Sequence, residues 1–528
     1  MIINFKVSVY KVSISVFKKA SEKDAITTED MVAIEVNSAW WGVHQDLLME
    51  NAGKALADFV RVFTGVDRGS KVAVVAGRGG NGGDGLVAAR ILASRGISVE
   101  VHLTHDPSSI IHKATPRMLD YVLRSKVLSL KKPGSRGWLE LSGADLIIDA
   151  VLGTGVRGEP RGTVRDAIVS INSVKAVKVA VDVPSGLDPD TGDAMLAVKA
   201  DYTLTFHKPK IGLFLNKGPQ YSGEVYVAEI GIPREAEEYA GPGDVLRIPR
   251  RPKDAKKGDG GRVLVIGGSE RFVGAPVLAA KAAYASGADL VYVHLPKAYA
   301  HHVASCHPEL IPVPREHGAS DLELLKEVIE KSHAIVLGPG LGVSEESRRL
   351  VDFVIEQAKG KPLVIDADAL KIVAETKLKL WNSVVLTPHR GEARLLSGAS
   401  EADLVEQAKK IATKYEATVI IKAPEDVICS SEAVCKKNVT GHPAMAVGGT
   451  GDVLAGTIGS FLARKASLSP TLNPLNVVAA AAYVVGRAGE LAVEEKGENI
   501  FPQDVLNNIP KAIEEAKRLL ERTEATKP

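Results

Sequence analysis

Short runs of β-branched and aliphatic residues alternate along this chain with longer stretches that are alanine-rich or carry apolar residues at helical spacing. That alternation is the signature of βαβ units and parallel sheets. In the first half the expected strands are "KVAVVAG" (71–77), "SVEVHLT" (98–104), "LIIDAVLG" (146–153), "KVAVDVP" (178–184) and "DYTLTF" (201–206). In the second they are "RVLVIGG" (262–268), "DLVYVHLP" (289–296), "AIVLGPG" (334–340), "PLVIDAD" (362–368), "SVVLTPH" (383–389) and "ATVIIKA" (417–423). Helices are expected between them, for example over 81–96 and 275–288. Residues 233–261 are rich in proline, glycine and charge and have little periodicity, as at a domain boundary. The expectation is therefore an α/β protein with an extension over 1–24 and domains over 25–245 and 246–528. The halves carry different motifs, so they form a fusion and not a duplication.

Composition alters this picture little. Hydrophobic residues make up 45% of the chain and charged residues 25%, which leaves ample apolar surface for cores. A net charge of +2 gives no excess to draw a nucleic acid or an anionic surface. The basic run "RIPRRPKDAKKGDGGR" (247–262) reads as a solvated linker. Cys306, Cys429 and Cys435 are too few for a disulfide framework and are expected to stay reduced. Lys6, Lys11, Lys18 and Lys19 interrupt the apolar start of the chain, and no small-residue cleavage site follows. It is neither a signal peptide nor a span. A short edge strand or a disordered extension is expected there, no membrane partner, and a cytoplasmic location.

"VAVVAGRGGNGGDGLVAARIL" (72–92) is a strand, a glycine turn and a helix. Gly77, Gly79 and Gly82 satisfy GxGxxG, and Glu100 stands where a ribose-binding acid would end the next strand. No lysine follows, so this is not a nucleotide-hydrolysing phosphate loop. Asn81 and Asp84 add oxygen ligands to a run of bare amides. Asp149 in "DAVLGTGVRGEPRG" (149–162), and Asp182 and Ser185 in "VDVPSGLDPDTGD" (181–193), stand at further strand ends. Carboxyl ends of strands are where open α/β sheets bind ligands.

These motifs, with "LLMENAG" (47–53), resemble the NAD(P)H-hydrate epimerase domain, a Rossmann-like three-layer αβα fold, over nearly all of 25–235. The resemblance implies that Asn81, Asp149 and Ser185 hold a potassium ion. It further implies that Gly80, Asn81, Gly82, Gly83, Asp84, Gly153, Thr154, Gly155, Val156, Arg157, Gly158, Glu159 and Asp182 hold the hydrated nicotinamide nucleotide. Oxygen ligands suit a hard cation, and an ion near a diphosphate offsets its charge. Gly80 departs from the family's usual asparagine. The R and S hydrates differ at the carbon bearing the hydroxyl, so epimerisation needs a proton donor and acceptor there. Asp182 is the leading candidate and Lys208 the second.

"VGGTGDVLAGTIGSFLA" (447–463) is a glycine turn opening a second helix, with an aspartate where a phosphate loop would have a lysine. Amides of Gly448, Gly449, Thr450 and Gly451 can face a developing anion, while Asp452 takes a proton from an attacking hydroxyl. The helix dipole is expected to keep Asp452 ionised. This turn resembles the ribokinase-like superfamily. Together with "KGDGGRVLVIGGSERFVGAPVLAAKAA" (257–283), "VLGPGLG" (336–342), "VIDADAL" (364–370) and "LTPHRGEARLL" (386–396) it is similar to the ADP- or ATP-dependent NAD(P)H-hydrate dehydratases. The resemblance implies that Ala275, Gly340, His389 and Asp452 contact the hydrate. Lys422, Ala423, Pro424, Glu425, Asp426 and Gly451 would contact ADP, bound with magnesium. Asp366 and Asp368 either reach that magnesium-bound phosphate or cap a helix. Arg390 stands where the family has proline, and "IKAPEDVI" (421–428) replaces its usual Lys-Gly-x-x-Thr.

Taken together, the expected activity is repair of NADHX and NADPHX. The first domain interconverts the epimers and the second dehydrates the S form by way of a phosphate leaving group, with ADP favoured over ATP. A vitamin kinase with a fused nucleotide-binding domain is the alternative, and a pure scaffold is another. Both families form homo-oligomers, so one is expected here.

Overall fold

The computed structural model describes residues 17–109, 115–155, 158–316, 319–376, 379–398, 403–469 and 472–523. The chain divides into two compact units, one running to Pro233 and the other from Arg234 to Leu520. The segment 234–245, assigned by sequence to the first domain, folds with the second. Its Ala240 and Val245 lie in that unit's core, and the amide of Ala240 donates to Lys437 O at 2.7 Å.

The first unit is built on an eight-stranded sheet. Strand Lys71–Ala76 is flanked on one side by Ser98–Leu103 and then Ser129–Lys131. On the other side lie Leu146–Ala150, Val177–Val181, Tyr202–Phe206 and Glu224–Ala228 in turn. All of these pairings are parallel. Phe17–Lys19 closes the edge antiparallel to Glu224–Ala228, within the extension for which an edge strand was one expectation. Chain order reverses between Lys71–Ala76 and Leu146–Ala150, which opens a crevice at their carboxyl ends. The expected strands all form, but several stop short of their apolar runs. Residues 151–153, for instance, already belong to the turn, where backbone geometry and not apolarity decides.

The second unit holds a nine-stranded sheet. Its order is Ile311–Arg315, Leu290–Pro296, Arg262–Ile266, Ala334–Leu337, Leu363–Ile365, Val384–Leu386, Thr418–Ile421, Asp426–Cys429 and Cys435–Asn438. The last two run antiparallel. Alternation along Arg262–Ile266 sends Val263 and Val265 into one apolar layer and Leu264 and Ile266 into the other, so helices cover both faces. Pro312 and Pro314 confine Ile311–Arg315 to the sheet edge, where a missing amide is tolerated. Chain order here reverses between Arg262–Ile266 and Ala334–Leu337. The helix Pro474–Lys496 is long and apolar enough to cross a membrane, but 78% of its apolar window is buried inside the protein.

The expectation of reduced cysteines fails for one pair. Cys429 and Cys435 are joined in a disulfide, because the antiparallel register sets them directly opposite each other. Spacing in the sequence does not reveal that pairing; the hairpin does.

Asp244 is fully buried, accepts from Lys436 Nζ at 2.7 Å and is contacted by Arg247. Burial works against its charge, and the two cations overcome that, holding its carboxyl below the usual range. Asp244→Ala removes the carboxylate on which both converge. A loss of about 3–5 kcal/mol is expected, read as a lower thermal midpoint of the second unit.

Candidate active sites

In the first unit, glycine is required where the turns meet. A Cβ on Gly77 would lie 1.8 Å from Val151 O, and one on Gly82 would lie 2.0 Å from Gly77 O. The two loops at the point of reversal thus touch backbone to backbone. Helix Gly80–Ser94 starts there. Asn81 Nδ2 donates to Leu152 O at 3.1 Å and to Val181 O at 2.6 Å, which ties three strand ends together.

Asp149 is buried and accepts from the Ser185 amide at 2.8 Å and the Ser185 hydroxyl at 2.6 Å. Burial pushes its carboxyl up to about 6 against the pull of those hydrogen bonds. Asn81 Oδ1 lies where a Cβ on Gly153 would stand, 2.4 Å away. Asn81, Asp149 and Ser185 therefore gather around one spot with oxygen donors only. Among the described residues no group of histidine, cysteine or acidic side chains has the makings of a transition-metal site.

Asp182 follows strand Val177–Val181 with φ +65°, in a three-residue turn closed by the Val183 amide on Val181 O at 2.7 Å. Non-glycine residues held there mark strained positions that the surroundings enforce. Its carboxylate accepts from Thr205 Oγ1 at 2.8 Å and the Phe206 amide at 3.2 Å, and pairs with the fully buried Lys210 ammonium. Lys210, not Lys208, is thus the lysine on Asp182. His207 turns the chain at φ +64°, so strand alternation cannot be carried past Phe206 to say which lysine points in. Asp84 is buried in the second turn of its helix. Burial first, then the charges of Asp182 and Glu35, raise its carboxyl well above the usual range. Glu100 sits within strand Ser98–Leu103, not at its end, and accepts from Ser129 Oγ at 3.2 Å. It is not a ribose ligand at the crevice. Val156 and Arg157 lie outside the described residues.

In the second unit a Cβ on Gly267 would stand 2.2 Å from Pro339 O, and one on Gly338 would stand 2.0 Å from Asp366 O. The same close approach brings Gly340 to Ala275, whose Cβ would be 3.2 Å away. Asp366 is buried past Leu363–Ile365. It accepts from Thr387 Oγ1 at 2.6 Å and Lys422 Nζ at 2.9 Å. Lys422 Nζ is also 3.2 Å from where a Cβ on Gly451 would be, which places the glycine turn of helix Thr450–Leu468 over that ammonium. Asp452 stands in the first turn of this helix. Burial, reinforced by the charge of Asp366 and opposed by Lys422, lifts its carboxyl to about 7. The expectation that the dipole keeps it firmly ionised gives way here, since a dipole worth about 0.3–1 kcal/mol is outweighed by desolvation.

His389 caps helix Arg390–Ser397. Its Nδ1 accepts from the amides of Gly391 at 2.9 Å and Glu392 at 3.2 Å, so the ring proton sits on Nε2 and that nitrogen is a donor. Asp368 accepts from the Gly342 amide at 2.8 Å and from Lys371 at 2.8 Å, so it ties the 338–342 turn to its own helix and caps no helix. Residues 422–425 form the turn between Thr418–Ile421 and Asp426–Cys429. Asp426 closes that turn on the Ala423 amide at 3.0 Å, and Glu425 pairs with Lys437 at 3.2 Å. Ala275, Gly340, Asp366, Lys422, Gly451 and Asp452 thus come together, while the side chains of Glu425 and Asp426 bond within the hairpin.

Residues 45–212 match the family of YjeF-related protein N-termini, and 263–511 match the NAD(P)H-hydrate dehydratase family. A bifunctional NAD(P)H-hydrate repair enzyme of Hyperthermus butylicus is 42% identical over 93% of this chain and 92% of its own. Its counterpart in Methanothermobacter thermautotrophicus is 38% identical over 94% and 96%. A solved structure, the ADP/ATP-dependent NAD(P)H-hydrate dehydratase of Bacillus subtilis co-crystallised with ATP and Mg2+, is 25% identical. It covers 53% of this chain and 98% of its own, with a TM-score of 0.46.

Proposed function

The chain belongs to the bifunctional NAD(P)H-hydrate repair enzymes, and on that premise we propose how its two crevices divide the work. The first unit interconverts R and S hydrates of NADH and NADPH. The second, a ribokinase-like αβα unit, dehydrates the S form at the expense of ADP. The observation that carries this reading is the presence in one chain of two points of strand reversal, each lined by its own acid–base carboxylate. In the first, Gly80–Asp84, Gly153–Gly155, Gly158, Glu159 and Asp182 would hold the hydrate. Asn81, Asp149 and Ser185 offer the oxygen-only set that suits a monovalent cation, and potassium bound there would offset the diphosphate's charge.

In the second, Ala275, Gly340 and the Nε2 donor of His389 orient the hydrate, and Asp452 takes the proton of its hydroxyl. Lys422, the backbone of 423–426 and the Gly451 amide face the nucleotide. Magnesium bound with the nucleotide would offset the charge of its phosphates. Hydroxide leaves a nicotinamide ring poorly, whereas phosphate leaves well. Once the hydroxyl is phosphorylated, the lone pair of the ring nitrogen expels phosphate and restores the reduced ring. Asp452 is suited to this, since a base near neutrality is most effective at working pH. ADP leaves as AMP. The protein works as a homo-oligomer in the cytoplasm.

The test is to incubate purified protein with mixed hydrates, with and without ADP, ATP and potassium, and to follow both epimers and inorganic phosphate. Release of a stable phosphate ester without return of reduced-ring absorbance would favour a vitamin kinase and overturn the reading.

A further inference from the structure

The geometry points to Asp84 as the catalytic acid of the epimerase site, working opposite Asp182 as base. This rests on the epimerase reading of the first unit. Asp84 and Asp182 reach the same crevice from different elements, the second turn of Gly80–Ser94 and the end of Val177–Val181. The Asn81 bond to Val181 O clamps those elements together. The two carboxyl groups differ in their partners. Asp182 accepts from a hydroxyl and an amide and bears the Lys210 ammonium, partners that suit a proton acceptor. Asp84 has no hydrogen-bond partner among the described residues, although only 9% of it is exposed. A carboxylate so placed draws no hydrogen bond from the described protein groups, whereas a carboxylic acid can give its proton to a ligand. The charged groups acting on it are Asp182, Glu35 and Lys210, and the two acids outweigh the lysine. An acid facing a carboxylate that an ammonium holds makes an acid–base pair.

The step balances without a further reactant. Asp182 takes the proton of the ring hydroxyl, and the oxygen's electron pair forms a carbonyl. The bond from that carbon to the ring nitrogen breaks, and the nitrogen keeps the pair and takes the proton of Asp84. Rotation exposes the other face of the carbonyl. The nitrogen then re-adds, returning its proton to Asp84, while Asp182 returns the other to oxygen. The product is the opposite epimer.

Asp84→Asn keeps the shape of the side chain and its capacity to hydrogen-bond but cannot cycle a proton. In the full chain without ADP, epimer exchange followed by chromatography should fall about 10²–10⁴-fold. Wild-type exchange should decline at alkaline pH as Asp84 ionises, and the residual activity of Asp84→Asn should lack that decline. Asp84→Glu should restore part of the rate together with the alkaline decline. ADP-dependent dehydration of the S form, carried out by the other unit, serves as the control for an intact chain. Undiminished exchange in Asp84→Asn, or an unchanged alkaline limb, overturns the assignment. Wild-type protein that dehydrates but never exchanges epimers overturns the epimerase reading itself.

Discussion

Asp452→Asn is expected to bind ADP as the wild type does and to lose dehydration by about 10²–10⁴-fold, the range for removing a general base. Asparagine preserves the size of the side chain and the first turn of helix Thr450–Leu468, so the amide-lined turn survives while proton abstraction does not. Because burial and Asp366 lift Asp452 to about 7, wild-type kcat/KM should climb as pH rises through neutrality and then level off. The same shift has a stability consequence of known sign. The folded protein holds this proton up to about pH 7, whereas an unfolded aspartate, with its ordinary value of 3.8, releases it earlier. Stability therefore falls between those values as pH rises, by about 1–3 kcal/mol. Asp452→Asn removes that loss, so its thermal midpoint should exceed the wild type's at pH 8 and match it near pH 4. An active variant, or one destabilised at pH 8, would contradict both lines.

Asp182→Asn should stop epimer exchange while leaving dehydration of the S hydrate intact. Given an equal mixture of epimers and excess ADP, the wild type should consume all of it. The variant should halt with the R epimer unspent. Lys210 makes this a demanding test, because its ammonium then lacks its carboxylate in a buried place, and about 3–5 kcal/mol of stability is expected to go with it. The double variant Asp182→Asn/Lys210→Met removes both charges, so it should recover stability but not exchange. Recovery of exchange in that double variant would show that Asp182 matters only for folding.

Much of the fold was legible because parallel strands buried on both faces read as unbroken apolar runs, and Val263 to Ile266 is one. Strand ends were less legible. Past Ile365 the chain turns at Ala367 with φ +51°, a choice made by the close approach of Gly338 and not by apolarity. The edge strands Ser129–Lys131 and Ile311–Arg315 escaped notice because a short or proline-bearing edge has little pattern of its own.

By itself the sequence determined the two α/β halves, the glycines that only a backbone-to-backbone turn can use, and the carboxylates at strand ends. Each of these is a local property of residue type and spacing. Tertiary structure decided which lysine meets Asp182, that Asp84 is buried without a hydrogen bond among the described residues, that Asp452 sits near neutrality, and that Cys429 faces Cys435. Those outcomes depend on burial and on charges brought together from distant positions. Desolvation and Coulomb energy act through space, so no reading along the chain contains them.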